Sequence, residues 1–318
     1  MSPRSLVPVI VAAVLSAACV AGSTDGAADL DREPMTISGG GTTGIYYGYG
    51  GELAAVLSGR LGVPAEVLET GGSIENLNQL ASGDSELAFS AADAASDAVA
   101  GQEPFDEPLP VLAVARVYDD FVHLVVPAHS PVRTIEDLAG RTVSLGAVGS
   151  GTELIARRLL AAADLDPDEM DNVALGIDGS IEAMLEGELD AFFWSGGLPT
   201  PGVNELAGQL QIRLIDLRGL VEAVRDEHSR AYRHGVVPRG TYGLFDDVGT
   251  MAVPNFLMVR ADAPDEIAYH VVEALFEERS AIAATVPAAG LLDRPRAIFT
   301  EPVELHPGAL RYYRDTKM

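Results

Sequence analysis

Apolar and polar positions along this chain alternate between a strand-like and a helix-like rhythm. A short apolar run at 35–38 passes through a glycine-rich stretch into a segment, 45–57, where Tyr49, Leu53 and Val56 recur at helical spacing. The run 65–69 reads as the next strand. Ser73 then fits the N-cap of a helix reaching Leu80, with Asn76 three places on. A strand at 86–90 and an alanine-rich helix at 92–99 complete a βαβαβα succession. That order predicts a mostly parallel sheet covered by helices on both faces.

Beyond a proline-rich loop at 101–110, the runs 111–117 and 121–126 are too apolar for surface strands. Together they read as the first passage into a second lobe. A Thr134-capped short helix follows, then strand 142–145, helix 153–163, strand 173–175, helix 181–186 and strand 189–193. A helix at 199–208, a strand at 211–217 and a helix at 220–228 continue the second lobe. A strand at 251–259 reads as the return, with a helix at 266–277 and the tail packed beneath the first lobe. The expected fold class is α/β, with two lobes, a central cleft and two hinge crossings: 34–118 with 251–318, and 119–250.

The first residues follow a different logic. Arg4 precedes an apolar stretch at 6–15, then Ser16-Ala17-Ala18-Cys19, the order of a secretory signal. A cleaved signal at 1–18 and an extracytoplasmic location are therefore expected. Cys19 is the only cysteine, which excludes an internal disulfide in the mature chain. Its position after Ala18 resembles a bacterial lipoprotein processing site, although Ser16 stands where a large aliphatic residue is usual. That resemblance implies lipidation of Cys19 and anchoring on the outer face of the cell membrane, or else a periplasmic protein. The small and polar residues 19–33 read as a flexible tether.

Composition narrows the partners. Forty-seven acidic against 21 basic residues give a formal charge of -26, a surface that repels DNA and RNA, so no nucleic-acid partner is expected. The six histidines have no metal-site spacing, and no cofactor is expected. Gly39-x-Gly41-x-x-Gly44 satisfies a short dinucleotide fingerprint, with Glu66 or Glu69 at the ribose position. Tyr46-Tyr47 in the first helical turn would crowd a pyrophosphate, and export separates the chain from nicotinamide pools. No nucleophile is paired in sequence with a base; Ser195 lies outside the Gly-x-Ser-x-Gly elbow. A non-enzymatic reading follows.

Capture of a small polar solute fits better. Gly41 and Thr42 at one helix start, with Tyr46 or Tyr47, would form one wall. Gly72, Ser73 and Asn76 add donors at a second helix start, and Ser90 and Asp93 follow the third strand. Ser150, Gly151 and Thr152 would form the opposite wall, with Phe193 and Ser195 beside it and Asn255 near the return crossing. Adjacent tyrosines on a helix point apart, so one of Tyr46 and Tyr47 is expected in the cleft and the other in packing.

The segments 38–51, 70–76, 143–158 and 192–201, with 253–257 and 305–309, together resemble the TAXI family of solute-binding components of tripartite ATP-independent periplasmic (TRAP) transporters. The resemblance covers nearly everything from Met35 to Arg314. It implies a type II periplasmic-binding-protein-like fold whose lobes close on a solute and dock on a membrane permease. It also implies a small carboxylate or amino acid as solute, with a glutamate- or glutamine-like one favoured. Ala92 stands where relatives often have Gln, and Thr43 where they often have Gly. The C4-dicarboxylate branch uses a conspicuous cleft arginine, and the nominated loops contain none. Two other readings stay open: a solute sensor serving a membrane histidine kinase, and a secreted hydrolase.

Overall fold

In the computed structural model the described residues are 34–316, so the expected signal, the tether and Cys19 lie outside them. Strands β1 (Met35–Ser38), β2 (Ala65–Leu68) and β3 (Leu87–Ala91) alternate with helices α1 (Ile45–Leu61), α2 (Ser73–Ser82) and α3 (Ala92–Ala100). The long β4 (Val111–Pro127) follows. Next come β5 (Thr142–Ser144), α4 (Gly151–Ala162), β6 (Asp171–Asn172), α5 (Ile177–Glu186) and β7 (Ala191–Gly196). Then α6 (Pro201–Gln209), β8 (Ile212–Leu214), α7 (Val221–Glu227) and β9 (Arg233–Val237) lead to β10 (Val248–Arg260). Helices α8 (Asp265–Glu277), α9 (Arg279–Thr285), α10 (Arg294–Ala297) and α11 (Pro307–Asp315) end the chain.

One mixed sheet runs in the order β2-β1-β3-β10-β4-β7-β5-β6, with β8 added to β4 and β9 to β10. Its flanks are parallel, β2-β1-β3 on one side and β7-β5-β6 on the other, while β10 and β4 in the centre run antiparallel to their neighbours. The expected "mostly parallel" sheet is thus correct only for the flanks. Hydrophobic periodicity fixes which residues are extended, not which way a neighbour runs.

The passage is made by β4. The runs 111–117 and 121–126 form one continuous strand. Tyr118, Asp119 and Asp120 stay extended because the ladder with β10 continues through them, pairing Asp119 with Pro254 and Asp120 with Val253. Asp119 is neutralised by Arg116 at 2.7 Å and Arg233 at 2.9 Å, so its charge does not break the strand. The pairing shifts register between Pro254 and Phe256, where proline supplies no backbone N–H.

A second correction falls at 173–175. The strand ends at Asn172, and Ala174 takes a positive φ of 44°. The Ser144 hydroxyl replaces the ladder, accepting from the Leu175 amide at 3.1 Å and donating to the Leu175 carbonyl at 2.9 Å. The chain is thereby turned out of the sheet, and α5 begins at Ile177 rather than at 181.

Packing explains why the halves hold their shape. On α1, Ile45, Tyr49, Leu53 and Leu57 are buried among Val114, Val271 and Leu275 from β4 and α8. Each such side chain contributes about 2 kcal/mol by leaving water. A second core extends across the sheet from α2 and α3 through β4 and β10 to α4 and α7. A third, around Ile177, Phe192, Val203 and Tyr242, fixes α5 and α6 against β7. Among the described residues no helix is long and apolar enough to cross a membrane.

Candidate functional site

Five chain segments that leave the sheet in the same region line a cavity of about 300 Å³, within the size range of small-molecule sites. From one half come the β1–α1 loop with Gly41, Gly44 and Tyr46, and the β2–α2 loop with Gly72 and Ser73. From the other come the start of α4 with Ser150, Gly151 and Thr152, the β6–α5 junction and first turn of α5 with Leu175 to Gly179, and the end of β7 with Phe193, Trp194 and Ser195. Ala91, Tyr118 and Asp120 of β3 and β4 complete the lining. No lysine or arginine is among these residues.

The two halves touch where α2 and α4 begin. A Cβ added at Gly151 would lie 2.7 Å from Ser73 Oγ and 3.1 Å from its Cβ. Only hydrogen fits there, so the glycine serves the contact of two helix starts. The Ser150 hydroxyl caps α4 by accepting from the Glu153 amide at 2.9 Å. The Gly151 and Thr152 amides donate to no acceptor among the described residues. They supply the positive end of the α4 dipole to the cavity.

The glycines of the supposed dinucleotide fingerprint have a related role. A Cβ at Gly41 would sit 2.9 Å from Ile177 Cγ2, across the cleft. The donors that follow Gly41 in this loop are already engaged by the chain itself. Asp178 Oδ2 accepts from the Thr42 amide at 3.0 Å and the Thr42 hydroxyl at 3.1 Å, while its Oδ1 accepts from the Thr43 hydroxyl. Thr42 is exposed and does not line the cavity.

Of the two tyrosines, Tyr46 faces the cavity and Tyr47 does not. Tyr46 stacks on Phe89 with centroids 5.4 Å apart, and its hydroxyl donates to Asn255 Oδ1. Burial, reinforced by the Asp120 charge, holds that hydroxyl well above the usual phenol range. Asn255 is fully buried behind Tyr46 and does not reach the cavity lining.

Three further nominated residues are turned into the scaffold. Asn76 donates to the carbonyls of Gly39 at 2.5 Å and Phe89 at 2.8 Å, tying β1 to β3. Ser90 donates to its neighbour's carbonyl at 3.0 Å and is completely buried. Asp93 joins Arg158, Tyr232 and Asp97 in a buried ion cluster, accepting from Tyr232 at 2.6 Å. A place near a strand end or helix start does not fix which way a side chain turns, and none of these three lines the cavity.

Two carboxylates that the sequence reading missed stand at the site. Asp178 is one. Asp120 is the other, 3% exposed and on the cavity floor. Its Oδ2 accepts from Ser195 Oγ at 3.3 Å, and the Ser195 amide in turn donates to Thr152 Oγ1 at 3.2 Å. Burial pushes the Asp120 carboxyl up to about 7, against the lowering effect of the nearby Asn255 and Ser195 side chains; Asp119 and Asp93 add to the rise. The available signal was a carboxylate pair interrupting a long apolar run. Trp194, the only tryptophan, also lines the cavity and donates to Thr200 Oγ1 at 3.0 Å. Among the described residues no group of three or more His, Cys, Asp or Glu is placed to hold a metal ion.

Comparison with known proteins gives this arrangement a lineage. The model of the NMT1-like family matches residues 37–316, and the chain belongs to that family. The chain is similar to the solved periplasmic binding protein BugD, with a TM-score of 0.57 and 16% identity over 90% of this chain and 95% of that one. It is also similar to the binding component of a phosphonate ABC transporter from Pseudomonas aeruginosa, with a TM-score of 0.54, 13% identity, and 82% and 80% covered. An ancestral arginine-binding protein bound to arginine matches with a TM-score of 0.51, 13% identity, and 80% and 98% covered. These likenesses establish the fold, an α/β architecture of the type II periplasmic-binding-protein kind.

Proposed function

We propose that this NMT1-like family member is an extracytoplasmic solute-binding protein that captures a small carboxylate or amino acid in the cleft. The supporting observation is the meeting of the α2 and α4 starts from opposite halves, with the Gly151 and Thr152 amides unpartnered. Helix-start amides favour a carboxylate, and they are the available anion donors where no lysine or arginine lines the cavity. A solute touching both walls favours their approach over their separation, so 34–118 with 251–318 and 119–250 would act as closing lobes.

The resemblance of segments 38–51, 70–76, 143–158 and 192–201 to the TAXI family supports delivery to a TRAP permease, with a glutamate- or glutamine-like solute favoured. The leader supports export, and Cys19 supports a lipid anchor. A calorimetric screen of amino and organic acids against the exported chain, paired with mass spectrometry of the recovered solute, tests capture. Stoichiometric binding with the solute returned intact is expected. Turnover of the solute, or binding unaffected by a bulky replacement at Gly151, would count against this reading.

A further inference from the structure

The floor of the cavity holds a buried carboxylate with no cation. Asp120 Oδ1 has no hydrogen-bond partner, and neither has the Asn255 Nδ2 behind it. Around Asp120 stand Tyr46 of α1, Asp93 of α3, Tyr118 and Asp119 of β4, Ser195 of β7 and Asn255 of β10. None of these is basic. The nearby arginines are committed elsewhere: Arg116 and Arg233 to Asp119, Arg158 to Asp93 and Asp97. An ionised carboxylate kept out of water with only the Ser195 hydroxyl to accept from is costly, and such a group in a ligand cavity marks a place for a further donor.

Resting on the solute-capture reading, we propose that Asp120 receives the ammonium group of the solute, which makes the occupant an α-amino acid rather than a di- or monocarboxylic acid without nitrogen. The linkage between the two poles carries the assignment. Ser195 bonds Asp120 through its hydroxyl and Thr152 through its amide, so one residue links the acidic floor to the α4 start. An α-amino acid bears both groups on one carbon and needs receptors of both kinds within one cavity, as Asp120, Gly151 and Thr152 are here. The Gly151 and Thr152 amides take the carboxylate, and Asp120 takes the ammonium. The raised carboxyl adds a thermodynamic signature: below about pH 7 Asp120 carries a proton, and an arriving cation displaces it.

Calorimetry on the wild-type chain separates the possibilities. The probes are the proteinogenic L-amino acids and their counterparts lacking the amino group, such as glutarate beside glutamate. Titrations at pH 6 use buffers of contrasting ionisation enthalpy. At least one amino acid is expected to bind about 100-fold more tightly than its counterpart, with close to one proton released. Asp120→Asn, folded by its melting transition, should lose both the preference and the proton release. Equal affinity for a counterpart, or proton release unchanged in Asp120→Asn, overturns the ammonium assignment and leaves solute capture standing. Binding by no member of either set overturns both.

Discussion

Asp178, in the first turn of α5, accepts from both the amide and the hydroxyl of Thr42, 136 positions earlier in the chain and on the other side of the cleft. A carboxylate of the protein thus takes the amide and hydroxyl donors that the glycine-rich loop offers. Removing it in Asp178→Ala should weaken the contact between halves. Hydrogen bonds to a charged group contribute about 1.5–3 kcal/mol, so solute dissociation should quicken by about tenfold or more. Stopped-flow fluorescence of Trp194 reads this, and an unchanged dissociation rate would refute the clamp.

Gly151 predicts a steric effect of the same kind. In Gly151→Val the new side chain meets Ser73, whose Oγ lies 2.7 Å from the ideal Cβ. Overpacking of this sort costs about 1–3 kcal/mol. The loss should appear as solute affinity reduced by about tenfold or more, with the melting temperature nearly kept, because the helix starts can separate. Gly59→Ala in α1 is the control: nothing lies within 4 Å of its added Cβ, and stability should rise slightly.

The stability of the solute-free protein should carry the mark of Asp120. Its carboxyl is raised in the fold from 3.8 to about 7, so between those values the folded chain holds a proton that the unfolded chain has lost. The stabilising contribution is complete below about pH 4 and declines as pH rises, by about 1.4 kcal/mol per unit, levelling above about pH 7. Denaturant melts of wild type and Asp120→Asn across this window give the difference. A difference independent of pH would contradict the assignment of this carboxyl.

Asp93 should behave as scaffold. Asp93→Ala leaves Arg158 buried with Asp97 alone and takes an acceptor from Tyr232. A destabilisation of about 3 kcal/mol is expected, near the low end for a broken buried pair because Asp97 remains. Solute affinity, measured on the surviving folded fraction by calorimetry, should change little. A selective loss of affinity at full stability would return Asp93 to the site.

Much of the scaffold was legible because its elements announce themselves locally. The 3.6-residue spacing of Tyr49, Leu53 and Val56 finds α1, and the Ser150–Thr152 turn finds the start of α4. Directions and partners were less visible. Nothing in the run 111–126 says that a polar Asp119-Asp120 pair would be carried through by a ladder with β10. Asp120 and Asp178 gain their meaning from Ser195 and Thr42, at distances of 75 and 136 positions, where no local pattern reaches. Asn76 shows the opposite error: a helix-start polar residue that looked like a donor to solute is spent on Gly39 and Phe89.

The irregular pairing of β10 at Pro254–Phe256 lies beside the acceptor of the Tyr46 hydroxyl and one strand from the acidic floor. Any flexing of the central ribbon there would tilt Asn255 and shift the groups it touches. If the proposed lobes pivot there, opening and the acidic floor would be coupled in a few adjoining positions, and a descendant that changed its preferred cargo would also alter how readily it opens.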